Sequence, residues 1–187
     1  MLVDGSVRCW GGNEDGSLGN SAIPDNSPVP VAVSGLTGVK ALSAGAYSAC
    51  ALLSDGTVSC WGANTYGELG NRTTKQSARS PPVKVSGLSG VTATSAGVEY
   101  ACAILSNRTV VCWGNNQEGT LGNGTMTNAS TPVPVSRLTN VTGIAAGSEH
   151  TCAQLADGSF ACWGNNQSGQ LGDGTTNRAL TPVMVKL

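Results

Sequence analysis

The triplet Cys-Trp-Gly occurs four times in the chain, and its near-constant spacing constrains the fold more than any other feature of the sequence. The tryptophans are Trp10, Trp61, Trp113 and Trp163, separated by 51, 52 and 50 residues. Leu-Gly follows eight residues after each tryptophan, and a Pro-Val step begins 11 to 13 residues after that leucine. Length varies only in the polar loop between these two steps. A packed scaffold with one tolerant loop per unit has this pattern, so the sequence predicts tandem structural repeats.

Each repeat has the signals of short strands and lacks the signals of a helix. Runs rich in β-branched residues, at 31–33 and 83–85, are each ended by a Ser-Gly turn. A second run follows at 39–43, and two more runs flank the Asp-Gly turn at 55–56. Taking the Pro-Val run as the first strand, each unit supplies about four strands without an intervening helix, which predicts the blade of a β-propeller.

The whole chain is therefore predicted to be all-β, a single partial β-propeller over residues 1–187 with four-stranded blades. It should hold roughly 14 strands, or about three and a half blades. The repeat units are placed at approximately 1–47, 48–99, 100–149 and 150–187, so the chain starts and stops within a unit. A propeller closes into a ring to remove its sheet edges, so the rest of a longer chain or other copies are expected to complete it.

Six cysteines are predicted to form three cross-strand disulfides. In the hairpin around Ser54-Asp55-Gly56, a three-residue loop places Cys50 directly opposite Cys60. Opposed residues in an antiparallel pair have Cα atoms about 4.5 to 5.5 Å apart, which a disulfide can bridge. Three bridges of this kind imply an oxidising compartment, and hence an extracellular or cell-surface location. The same spacing pairs Cys102 with Cys112 and Cys152 with Cys162.

Two irregularities accompany this pattern. Cys9 has no partner, because the matching position would lie before Met1. In the hairpin between Cys102 and Cys112, Asn107-Arg108 replaces Asp-Gly. If Arg108 adopts the left-handed conformation that glycine takes elsewhere, the substitution should cost about 1 to 2 kcal/mol.

Charge and motif content narrow the function classes. Charged residues make up 11% of the chain and the formal net charge is −1, with no basic cluster for a nucleic-acid backbone. No run of 18 apolar residues is present, so membrane insertion is not predicted. The chain lacks Cys-x-x-Cys, and its single histidine, His150, stands alone, so no metal and no cofactor are expected. Carboxylate pairs and triad motifs are also missing, which favours a non-catalytic protein.

One stretch carries a family resemblance. Residues 148–185, SEHTCAQLADGSFACWGNNQSGQLGDGTTNRALTPVMV, closely resemble the repeat of the regulator of chromosome condensation family, and all four units match it. The resemblance implies a seven-bladed propeller, about half of which this chain would fill. The cysteine pairs differ from those of nuclear members and are similar to those of secreted or surface-displayed bacterial members. That difference, with the lack of the basic chromatin-binding segments, argues against nucleotide exchange on a nuclear GTPase.

Two sets of residues are candidates for binding a protein partner. One is the variable loop that begins at Gly70, which holds the only local excess of positive charge. The other is the turn before each cysteine-containing strand, where the residue type changes between otherwise regular units and where the two tyrosines are plausible interface anchors. The loop residues are Arg72, Lys75 and Arg79, and the turn residues are Tyr47, Glu99, Tyr100, Glu149 and His150.

Three functional hypotheses fit these features. The leading one is an extracellular binding or structural module, used in adhesion, surface assembly or a larger extracellular structure, with a protein partner or self-association. The second is a secreted inhibitor of an enzyme such as a β-lactamase, which the family resemblance suggests. The third is an exchange factor for a small GTPase, which reduced cysteines would favour.

Overall fold

The computed structural model describes residues 1–23, 26–75 and 81–187. These residues form fourteen β-strands and no helix, so among them no helix has the length and apolarity to cross a bilayer. The strands are β1 Arg8–Gly11, β2 Ser27–Ala32, β3 Val39–Ala44, β4 Ser48–Leu53, β5 Val58–Gly62, β6 Val83–Lys84, β7 Val91–Ala96, β8 Tyr100–Leu105, β9 Val110–Gly114, β10 Ala129–Pro134, β11 Val141–Ala146, β12 His150–Leu155, β13 Phe160–Gly164 and β14 Ala179–Met184.

The strands form three four-stranded antiparallel sheets and one two-stranded sheet. We call β3–β6 blade 1, β7–β10 blade 2 and β11–β14 blade 3, and the β1–β2 pair the half-blade. Each blade is an antiparallel meander in sequence order, and neighbouring blades pack face to face. This arrangement confirms the prediction of an all-β partial propeller with four-stranded blades.

The position of the Pro-Val strand within the blade differs from the prediction. It was expected to be the first strand of a unit, but it is the fourth, because it pairs with the Cys-Trp-Gly strand that precedes it. Val83 lies opposite Cys60, and Val183 lies opposite Cys162. The strand that contains Pro182 therefore completes blade 3 and does not begin another blade. Sequence spacing gives the period of a repeat but not its phase, which depends on long-range strand pairing.

This phase determines how the chain connects one blade to the next. If the units are divided after residues 47, 99 and 149, as proposed from the sequence, the second unit supplies β4, β5 and β6 to blade 1 and β7 to blade 2. The third unit is split between blades 2 and 3 in the same way. Each blade boundary is therefore crossed by a continuous segment of chain.

The central hairpins have the register predicted from their sequence. In blade 1 Cys50 lies opposite Cys60 and Leu52 opposite Val58. Gly56 has a φ of 76°, and the Asp55 carboxylate accepts the Thr57 backbone N–H at 2.9 Å. In blade 2 Arg108 occupies the glycine position with a φ of 62°, the left-handed conformation considered above.

The hydrophobic core lies between the blades. Successive residues of β4 and β5 point to opposite faces of the sheet, and both faces are covered. Leu52 and Val58 face blade 2, where they belong to the same cluster as Trp113. Ala51 and Trp61 face the half-blade and pack with Val7 and Val33. Small and apolar side chains on both faces of these strands therefore follow from burial between two neighbours.

A tryptophan links each blade to the one before it. The Trp113 indole N–H donates to the Glu68 carbonyl at 2.8 Å, and the Trp163 indole N–H donates to the Thr120 carbonyl at 2.8 Å. The glycine of the preceding Leu-Gly step makes room for the ring, because a Cβ on Gly70 would lie 3.1 Å from Trp113 Cδ1. The indole thus buries its apolar body while its polar group keeps a partner.

Near the first turn of each blade, the backbones of neighbouring blades also come into contact. The Ser43 hydroxyl accepts the backbone N–H of Ala96 at 2.5 Å, and the Ser95 hydroxyl accepts that of Ala146 at 2.9 Å. A Cβ on Gly45 would lie 1.8 Å from the Gly97 carbonyl oxygen. No side chain fits at Gly45 without separating the two blades.

Removal of a buried tryptophan should destabilise the propeller strongly. Trp113 is 0% exposed, so Trp113→Ala is expected to lower the free energy of unfolding by about 3 to 5 kcal/mol through loss of packing. Trp10 is the matched control, because it is 64% exposed and Trp10→Ala should change stability by less than about 1 kcal/mol. Urea unfolding of both variants measures the difference. Equal losses would show that the tryptophan contact between blades does not stabilise the fold.

Candidate functional site

The three predicted cysteine pairs are joined in the structure. Cys50 and Cys60 have Cα atoms 4.1 Å apart, and the corresponding distances in blades 2 and 3 are 4.0 and 4.1 Å. Each bridge joins the two central strands of its blade. Cys9 carries a free thiol, and partial burial raises its pKa, so little reactive thiolate forms at neutral pH. The six bridged cysteines therefore stabilise the paired central strands of the three blades.

The residues of the turn before the second strand lie at the same end of the sheet as the residues that follow the third strand. The Tyr47 carbonyl accepts the backbone N–H of Ala63 at 2.9 Å, and the Glu99 carbonyl accepts that of Asn115 at 2.9 Å. Blade 3 repeats the contact between Glu149 and Asn165. The repeated backbone geometry displays a different side chain in each blade.

These turns border a cavity of about 270 Å³ between the blades. We call its Tyr47, Glu99, Glu118 and Glu149 side chains the turn surface. Asparagine amides hold two of the carboxylates: Asn115 donates to Glu99 Oε2 at 2.7 Å, and Asn165 donates to Glu149 Oε2 at 2.9 Å. The turn surface thus combines an exposed aromatic ring with fixed acidic groups.

The carboxylates of the turn surface are only partly balanced by positive charge. Arg178 forms an ion pair with Glu118, with Nη2 and Oε2 2.9 Å apart. In the ranges that the structure describes, no group of three histidine, cysteine or acidic side chains has the arrangement of a metal site. The carboxylates of Glu99 and Glu149 can accept hydrogen bonds from a cationic group and form ion pairs with it.

Tyr100 was expected to be an exposed interface anchor, and the structure places it in the interior instead. It is 1% exposed, whereas Tyr47 is 47% exposed. Its hydroxyl donates to the His150 carbonyl at 2.6 Å and accepts from the Thr151 hydroxyl at 2.9 Å, and burial raises its pKa far above the ordinary value. Tyr47 stands three residues before the first cysteine of its blade, whereas Tyr100 stands two residues before. Because of this difference of one residue, the ring of Tyr100 points between blades 2 and 3.

The other candidates occupy different places. His150 is half-buried, and a Cβ on Gly147 would lie 2.8 Å from its ring atom Cε1, so the ring packs against the backbone. Arg72 and Lys75 are exposed on the variable loop and do not line the cavity of the turn surface. Arg79 lies outside the described residues. The structure therefore brings Tyr47, Glu99 and Glu149 to one cavity, and Arg72 and Lys75 lie outside its lining.

Buried asparagines that the sequence analysis did not single out hold the variable loops. Asn116 is 0% exposed, and its Nδ2 donates to the carbonyls of Thr125 at 3.0 Å and Thr127 at 3.1 Å. Its Oδ1 accepts the backbone N–H of Leu121 at 2.9 Å. Asn13, Asn64 and Asn166 occupy the equivalent positions and make the same contact with the leucine of the Leu-Gly step. An asparagine three residues after every tryptophan is the sequence signal for this role.

Glu68 is a second residue that sequence reasoning missed. Its side chain is 1% exposed, and Oε2 accepts the backbone N–H of Tyr66 at 2.8 Å. Burial raises the pKa of this carboxyl above its ordinary value of 4.5, and the charge of Glu99 adds to the effect. Serine, threonine and glutamine occupy the corresponding position in the other units, so only alignment of the repeats marks the glutamate as unusual.

Loss of a loop-holding asparagine should weaken the fold. Asn116→Ala leaves several buried backbone groups without a partner, so the free energy of unfolding should fall by about 2 to 4 kcal/mol. Gln117→Ala, at the exposed neighbouring position, is the control and should shift stability by less than about 0.5 kcal/mol. Urea unfolding measures both, and a loss at position 116 no larger than at 117 would contradict the assigned role.

Replacement of Glu68 should reveal a pH-dependent cost of burying its charge. Because the pKa is raised in the folded state, the folded protein binds the proton more tightly than the unfolded chain. The stability that the protonated Glu68 carboxyl contributes is complete below the ordinary glutamate pKa. It is lost as the pH rises through the raised pKa of the folded state. The thermal midpoint of Glu68→Gln should therefore equal that of the wild type near pH 3 and exceed it at pH 7. A difference that does not vary with pH would contradict this prediction.

Comparison with known proteins agrees with the repeat architecture. The family model described as the regulator of chromosome condensation (RCC1) repeat matches residues 4–52, 55–104, 109–154 and 157–187. The human E3 ubiquitin-protein ligase HERC2 is 35% identical over 133 residues, which cover 69% of this chain and 3% of that protein. The chain thus corresponds to a small part of this relative.

Solved structures show the same fold. Human WBSCR16 superposes with a TM-score of 0.89 at 24% identity, covering 100% of this chain and 50% of that chain. Prp20p from Saccharomyces cerevisiae superposes with a TM-score of 0.83 at 20% identity, covering 97% of this chain and 46% of that chain. The chain therefore spans about half the length of these propellers. It belongs to the RCC1-repeat family and forms part of an RCC1-type β-propeller.

Proposed function

We propose that this chain is a non-catalytic protein-binding module that works in an oxidising compartment, outside the cell or at its surface, in adhesion, surface assembly or a larger extracellular structure. The observation that carries the proposal is the bridge at the same central position of all three complete blades. Repeated bridges of this kind persist in secreted proteins and are rare in the cytosol.

We infer how the chain binds a partner from the side chains of the turn surface and from the partners of related proteins. Yeast Prp20p has binding properties to Gsp1p and histones, and a second crystal structure contains it bound to Kap60. By analogy, we assign this chain a protein partner. Exposed Tyr47 beside the carboxylates of Glu99 and Glu149 suits a partner that inserts a lysine or arginine side chain into the cavity between blades.

The half-blade supplies a further argument for association. In each complete blade the Cys-Trp-Gly strand pairs on both edges, whereas β1 pairs only with β2. The free edge of β1 lies where a second strand would stand, and the neighbouring side chain of Trp10 is 64% exposed. We propose that strands equivalent to β3 and β4, from the same polypeptide or from another copy, cover this edge and bring a cysteine opposite Cys9.

Thiol mapping tests the compartment. Protein is alkylated during isolation from its natural source and digested without reductant. The digest should contain peptides joined by the disulfides Cys50–Cys60, Cys102–Cys112 and Cys152–Cys162. Alkylated Cys50, Cys102 and Cys152 in that sample would overturn the extracellular proposal. The same digest of protein made in a reducing cytosol provides the reduced reference.

A peptide titration tests the turn surface. A fluorescent peptide with alternating glycine and arginine should bind the intact protein, and Tyr47→Ala or Glu149→Gln should raise its Kd by about three- to tenfold, as expected for loss of an interface anchor or charge. Glu14→Gln is the control, since it removes an equal charge from an exposed position outside the cavity. Equal weakening by the control would show that only net charge matters.

A further inference from the structure

Strained backbone residues are concentrated at one junction of the propeller. In the described part of the chain, four residues other than glycine have a positive φ: Arg72, Arg108, Arg137 and Asn140. Three of the four meet where blade 2 joins blade 3, because the Arg108 carbonyl accepts the backbone N–H of Val141 at 3.1 Å. Residues held in this conformation cost of order 1 to 3 kcal/mol each, and such strain accumulates at functional sites.

The other repeats show that the fold does not require these side chains. Gly56 and Gly158 occupy the position of Arg108, Gly35 and Gly87 that of Arg137, and Gly38 and Gly90 that of Asn140, all with positive φ. A Cβ on Gly35 or Gly87 would meet no atom within 4 Å. A side chain at the position of Arg137 therefore projects into open space, and only the backbone bears the cost there. Blade packing supplies no reason to keep arginine where glycine is the unstrained choice.

The same junction contains a groove that is separate from the turn surface. A cavity of about 490 Å³ is lined by the polar residues Arg137, Thr139, Asn140 and Asp157 together with apolar residues. Leu138 forms part of its floor, and Met184, at 52% exposure, stands at its side. The groove thus offers polar groups beside an apolar surface that a side chain of a partner can cover.

Electrostatics at this end of the strands favours an anionic occupant. The described ion pair, Arg178 with Glu118, lies elsewhere, and Arg108 and Arg137 are both exposed without an ion pair of their own. The hairpin ends of the blades carry more bases than acids. The bases are Arg8, Lys40, Lys84, Arg108 and Arg137, and the acids are Asp4, Asp55 and Asp157.

We propose that this junction is a second binding surface, formed by Arg108, Arg137 and the groove beside them, for an acidic segment of a partner protein. Two carboxylates of the segment pair with the guanidinium groups, and a neighbouring leucine-like side chain packs on Leu138 and Met184. Arginine suits this role because its planar donor group matches a carboxylate. This inference goes beyond the proposed function of the turn surface and does not depend on it.

The experiment uses the acetylated, fluorescein-labelled peptide Glu-Glu-Leu-Glu-Glu and measures its anisotropy on titration with the whole chain at low ionic strength. Arg108→Gly/Arg137→Gly should raise the peptide Kd at least tenfold. The thermal midpoint should stay the same or rise, because glycine relieves the backbone strain, which shows that the variant is folded. Lys40→Gln/Lys84→Gln removes the same charge from blade 1 and should change the Kd by less than threefold.

Four results would overturn the proposal, three of them with the peptide and one with a DNA duplex. The first is no binding by the wild type, and the second is an unchanged Kd in the arginine variant. The third is an equal loss in the lysine variant, which would mean that the overall field attracts the peptide without a specific site. A short DNA duplex is titrated in parallel. Tighter, arginine-dependent binding of the duplex would assign the surface to nucleic acid and reject the protein segment.

Discussion

Each buried indole donates a hydrogen bond to a carbonyl of the preceding blade, and the stacking of the blades depends on this contact. Trp113 can approach the Glu68 carbonyl only because Gly70 has no Cβ in its path. The indole fills the space between two sheets, and its N–H satisfies a carbonyl that would otherwise be buried without a partner. The tryptophan, the glycine and the disulfide-bridged strand behind them therefore operate as one unit.

Local features of the fold could be predicted from the sequence because they depend on short-range geometry. The register of Cys50 with Cys60 follows from loop length alone, and the left-handed conformation of Arg108 follows from its place in the hairpin. The phase of the blade could not be predicted in the same way. Whether the Pro-Val strand is first or fourth depends on which β-strand it pairs with, and both possibilities have identical spacing.

The candidate site was predictable only in part, for a related reason. Tyr47 and Glu149 stand out because they vary within a regular repeat, and variation of this kind often marks exposed positions. Tyr100 shows the limit of that argument, because one step along the chain moves a side chain from the surface into the gap between blades. Asn116 was overlooked because polar residues near loops are usually solvated, and its burial depends on a loop that folds back over it.

The contacts between blades also bear on how a chain of this kind can change its length. Blades 1 and 2 each present to the following blade a carbonyl that accepts an indole N–H and a serine hydroxyl that accepts a backbone N–H, and blades 2 and 3 supply the matching donors. A duplicated repeat would carry the acceptors for the following blade and also the donors for the preceding blade. Gene duplication or deletion could therefore add or remove whole blades without any compensating substitution at the new junction.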